Sequence, residues 1–145
     1  MRTSHGELSL EEIAEALPST GDLMALIGTA WWKCAYAARG GNWELAAYFA
    51  RRARGIQRRL AVVRPKYGAD IARFEAERIA PVLAATDRKD AGTFERAFAA
   101  ATDDANALHA KWGKSYIRWV LPDEAPRDLD LGPSPARAQG PEAER

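Results

Sequence analysis

The chain is poor in the residues that build cross-links and metal centres. Among its 145 residues it has one cysteine, Cys34, and two histidines, His5 and His109. A single thiol excludes an intrachain disulfide framework and a multi-cysteine metal site. No Glu-x-x-His pair occurs, which excludes the ligand set of a di-iron carboxylate bundle, and two separated histidines leave zinc short of ligands. No apolar run reaches the roughly 18 residues of a membrane span, and no basic-plus-apolar segment opens the chain. A cytoplasmic protein without a membrane partner is therefore expected. The formal net charge is +1, so the overall balance names no partner. A glycine-rich phosphate loop and a nucleophile elbow are also missing, and no catalytic residue stands out.

What is present is helical periodicity. Phe94, Phe98, Ala101, Ala105, Leu108 and Trp112 are spaced by four and three residues, the stripe of a helix packed along its length. The same rhythm recurs in Phe49, Ala53, Ile56, Leu60 and Val63, and in Leu23, Ile27, Trp31, Cys34 and Ala38. Ser9 with Glu12 forms a capping-box pattern that opens a short helix through Leu17. Asp22 is a candidate cap for a helix to Arg39, Gly40 and Gly41 end it, and Asn42 caps the next, Trp43 to Val63. A further helix covers Ala69 to Arg88 with a kink at Pro81, Arg88, Lys89 and Asp90 form the next turn, and the last helix runs to Lys111. These spans predict an all-α fold: an antiparallel four-helix bundle with a short N-terminal helix and an extended C-terminal strap. The strap contains Tyr116, Ile117, Trp119 and Val120. The expected organisation is an N-terminal segment over 1–20, the bundle over 21–121 and a Pro-rich flexible tail over 122–145.

Several side chains call for a role. Trp31 and Trp32 are adjacent on a helix and so point about 100° apart, one into the core and one onto a rim. Cys34 lies on an apolar face and reads as an inert core thiol. Residues 51–66 carry Arg51, Arg52, Arg54, Arg58, Arg59, Arg64 and Lys66 with no acidic residue between them. Aromatics are not interleaved on that face, so nucleic acid is not the expected partner. Asp123, Glu124, Asp128 and Asp130 offer an internal counter-charge.

Separated motifs resemble one known family. Gly41-Asn42-Trp43-Glu44-Leu45-Ala46-Ala47-Tyr48, preceded by Lys33, is followed in order by Arg78-Ile79-Ala80-Pro81-Val82-Leu83, Asp87-Arg88-Lys89-Asp90 and Phe94-Glu95-Arg96-Ala97-Phe98. Over residues 24–121 the chain is similar to small bacterial helical proteins of the cytochrome c-prime kind. In that family the last helix carries Cys-x-x-Cys-His. Here the same place reads Ala105-Asn106-Ala107-Leu108-His109. Covalent attachment needs a thiol for each haem vinyl group, so c-type haem is excluded while a histidine able to ligate iron remains. A second departure is the basic stretch Arg51 to Arg59, where such proteins have an acidic helix.

The resemblance implies a binding protein that has lost covalent haem and takes a small planar or hydrophobic ligand, or non-covalent haem through His109. Trp31, Lys33, Tyr36 and Trp112 are the expected co-liners of that site. One alternative is a dimeric interaction or regulatory module that meets an acidic partner through Arg51, Arg52, Arg58 and Arg59. Another is a cofactor-independent enzyme using the vacated pocket.

Overall fold

Each long helix begins where a short polar side chain takes the place of a missing backbone partner. In the computed structural model, which describes residues 1–133, the fold is all-α apart from one small hairpin. That hairpin pairs β1 (Arg2–Thr3) with β2 (Gly6–Glu7), where the sequence suggested a loose end. The capping box of α1 (Leu10–Glu15) closes as expected, with Glu12 N–H donating to Ser9 Oγ at 3.1 Å and Ser9 N–H to Glu12 Oε2 at 2.7 Å. α2 (Thr20–Arg39) starts differently from the sequence expectation. Its cap is Ser19, and Asp22 is the reciprocal partner, accepting from the Ser19 N–H at 2.9 Å. A box of this kind satisfies two orphan donors where a lone aspartate satisfies one.

Asn42 caps α3 (Trp43–Val63), its Oδ1 accepting from Leu45 N–H at 3.1 Å. Gly41 makes the preceding turn at φ +76°, a conformation that a side chain would strain. A 3₁₀ turn over Pro65–Tyr67 leads into α4 (Gly68–Phe74). The irregularity expected at Pro81 takes the form of a π turn over Glu75–Ile79, continued by α5 (Ala80–Arg88). The Ala80 N–H bonds back to Glu75 O, five residues earlier. Proline offers no N–H and crowds the carbonyl four residues back, so a wider turn just before Pro81 relieves both problems. Lys89 adopts a left-handed conformation at φ 53°, and Asp90 then caps α6 (Ala91–Lys111).

The core sits mainly between α2 and α3. Ala35, Ala37, Ala46, Ala50 and Ala53 are buried there, and such small side chains let two helices approach closely. Cys34 is fully buried among them, and burial pushes its thiol up to about 12. Phe94 and Phe98 of α6 close the core, Phe98 stacking on Trp31 at 4.4 Å. Trp31 is the core member of its pair, while Trp32 is half-buried against Trp119 at 5.4 Å. Asp104 of α6 accepts from Arg73 Nη1 at 3.0 Å and Arg78 Nε at 3.1 Å, tying α6 to α4 and the π turn.

Past Lys111 the described residues form no helix or strand, yet they are held. Asn106 brackets Trp119 through two hydrogen bonds, donating to its carbonyl at 2.9 Å and accepting from its N–H at 2.7 Å. Tyr36 donates its hydroxyl proton to the Pro122 carbonyl. Lys33 pairs with Asp128, and Leu131 is buried. At Gly40 an added Cβ would lie 2.4 Å from the Leu131 carbonyl oxygen, so the segment needs a glycine there. Residues 122–133, expected as tail, thus keep contact with α2, and the rest of that expected tail lies outside the described residues. Among the described residues, no helix is long and apolar enough to cross a membrane.

Candidate functional site

The α6 stripe changes character along its length. Phe94, Phe98 and Ala101 are buried, Ala105 and Leu108 only half-buried, and Trp112 is exposed. The last three line a cavity of about 160 Å³. The first turn of α2 walls it with Thr20 and Gly21, α3 with Gln57 and Leu60, and α4 with Asp70, Ile71 and Phe74. Tyr67 and the strap residues Lys114, Ile117 and Trp119 complete it.

His109 is the polar centre of this wall. Its Nδ1 lies 3.2 Å from the Ile117 carbonyl oxygen, and its ring meets Trp119 edge-on at 5.9 Å. A carbonyl only accepts, so Nδ1 carries the proton. In the neutral ring Nε2 is then a bare lone pair, able to accept a hydrogen bond or ligate a metal. Burial pulls the imidazole below its ordinary value of 6.5, with the Lys114 charge adding to that effect and the Ile117 bond opposing it. The ring is therefore neutral at pH 7.

Asp70 is also at the wall, but its charge is engaged. Lys111 Nζ donates to both carboxylate oxygens at 2.8 Å and Trp112 Nε1 to one at 2.9 Å. Those bonds hold the carboxyl below its ordinary value. Gln57 differs: its side-chain oxygen is buried without a hydrogen-bond partner among the described residues. An orphan polar atom of this kind costs free energy on the order of 1–3 kcal/mol until something bonds to it.

Of the residues singled out by sequence, the cavity gathers His109 and Trp112 and leaves three elsewhere. Trp31 is in the core, its Nε1 donating to Thr102 Oγ1 at 3.0 Å. Lys33 and Tyr36 hold the strap through Asp128 and Pro122. All three lie on α2 beyond Thr20, Gly21 and Met24, the residues through which that helix reaches the cavity. Arg51, Arg52, Arg58 and Arg59 are exposed on α3. Arg58 pairs with Glu75, whereas Arg51, Arg52 and Arg59 make no ion pair with a described residue. The acidic strap residues do not supply their counter-charge: Asp128 goes to Lys33 and Glu124 to Arg127.

No family model, curated protein or solved structure matches the chain. The site is thus read from its own chemistry. Among the described residues no cluster of three or more His, Cys, Asp or Glu is placed to hold a metal ion. His109 has the hydrogen-bonded Nδ1 typical of a ligating imidazole. The volume fits a porphyrin poorly: about 160 Å³ is close to the roughly 150 Å³ cavity that takes one benzene, and far below the four-pyrrole macrocycle.

Gln57, Tyr67, Asp70 and Lys114 were not singled out by sequence. Each is a polar residue in a different element, with no shared spacing to mark it. Only the loosening of the α6 stripe toward polar neighbours hinted that its far end faces something other than core.

Proposed function

We propose that the protein is a small-molecule-binding module: an antiparallel four-helix bundle, cytochrome c-prime-like in plan, whose cavity takes a flat apolar ligand. One observation carries this reading. Ala105, Leu108 and His109, the positions to which the resemblance assigns two cysteines and a ligating histidine, line one cavity. Without the thiols the space accepts a free ligand. Leu60, Ile71, Phe74 and Leu108 offer apolar surface, and ligand burial against it is favourable at about 25 cal/mol per Å². His109 Nε2 supplies one directional contact. The volume suits a single ring.

The test is an amide NMR titration with toluene and, separately, an absorption titration with hemin. Toluene should shift signals from residues 105–109 and 114–119, and Ala105→Leu, which fills the cavity, should remove the response. An unchanged spectrum would sink the reading. A saturable Soret band abolished by His109→Ala would replace the single ring with non-covalent haem.

A second reading rests on Arg51, Arg52 and Arg59, exposed and without ion pairs among the described residues. We propose on that ground an acidic partner or a homodimer contact along α3. Salt-dependent association, lost on charge reversal of these residues, tests it.

A further inference from the structure

We infer that the cavity selects a single-ring aromatic acid, its ring against Leu60, Phe74 and Leu108 and its carboxylate at Lys114. The inference rests on the binding function proposed above and adds the ligand's charge and class. It begins from the balance of charge around the cavity. α4 contributes Asp70 and α6 contributes Lys111, and these neutralise each other through two contacts of 2.8 Å. His109 is neutral and α3 contributes the uncharged Gln57. The strap contributes Lys114, which is half-buried and makes no ion pair with a described residue. One positive charge is left over at the wall of a largely apolar cavity. An anion seated beside that ammonium would gain a charge-assisted hydrogen bond.

The hydrogen-bond inventory agrees. Lys114 and Tyr67 both line the cavity, and neither the ammonium nor the hydroxyl makes a hydrogen bond to a described acceptor. Two unused acceptors, Gln57 Oε1 and His109 Nε2, stand at the same cavity. A carboxylate answers the two donors, one of which carries the charge left unbalanced at the cavity. The opposite end of the ligand is set by the walls. Tyr67 and Trp112 meet edge to face at 4.8 Å, and Trp119 and Phe74 stand nearby at the same cavity. Aromatic walls favour an aromatic guest, and about 160 Å³ leaves room for one ring.

The experiment is calorimetric titration of the full chain at pH 7.5 with benzoate, toluene and benzylamine, repeated on Lys114→Gln and Lys114→Arg. Benzoate should bind about tenfold more tightly than toluene, the effect of one charge-assisted hydrogen bond, and benzylamine more weakly than both. Lys114→Gln should erase the preference for benzoate and leave toluene unchanged, while Lys114→Arg keeps it. Toluene bound as tightly as benzoate overturns the inference and leaves the cavity reading standing. Failure of both ligands overturns both. Tight benzoate binding that survives Lys114→Gln overturns the role given to Lys114.

Discussion

His109 links the cavity to pH. Its folded-state pKa lies below the ordinary 6.5 because burial disfavours the imidazolium. As pH falls, the unfolded chain takes up this proton first. The stability tied to the neutral ring is therefore complete above about pH 6.5 and is lost as pH drops from there through the folded-state value. Melting temperatures measured between pH 7.5 and 5 should decline, and His109→Gln should flatten that part of the curve. A His109 ring-proton titration centred above 6.5 would contradict this. A separate loss belongs to lower pH, where Asp70 and Asp90, both held below their ordinary 3.8, become protonated.

Among the elements, the strap depends most on a single side chain. Asn106 imitates a neighbouring strand for Trp119, donating and accepting at once. Removing it strands two half-buried backbone groups. Asn106→Ala should cost about 2 kcal/mol in urea unfolding and release the strap, with a rise in the accessibility of Trp119 to acrylamide. An unfolding midpoint and quenching equal to wild type would show that the strap holds by its apolar contacts alone. Helix limits were largely legible in the sequence, because capping residues and glycines act locally: Ser9 and Asn42 cap where expected. Asp22 was misread because the serine before it competes for the same position. The π turn had a sign too. Phe74 and Ile79 are both buried yet five residues apart, roughly 140° out of phase on a regular helix. The strap's path had none, since contacts such as Leu131 at Gly40 follow no period.

The whole molecule divides into a dry centre, a half-open end and a charged flank. The stripe of α6 told which residues face inward, and it could not tell whether anything faces them; near Ala105 the answer is a cavity. For that reason His109 and Trp112 were found from sequence while Lys114 and Gln57 were missed. The charged flank on α3 is separable from folding. Reversing Arg51, Arg52 and Arg59 together should leave the urea midpoint unchanged, since none pairs with a described residue. Reversing Arg58 should lower it, because Glu75 loses its partner and faces a like charge. Equal effects from the two variants would mean the flank acts as one network.

Cys34 lies sealed where α2 meets α3, with a thiol that ionises only near pH 12. A folded molecule therefore presents no thiolate to a disulfide reagent at neutral pH. Every labelled molecule must first have parted its two central helices. With no second thiol in the chain to blur the signal, the rate of labelling counts those partings directly. The protein carries a built-in clock for the rarest of its motions, readable without adding a probe.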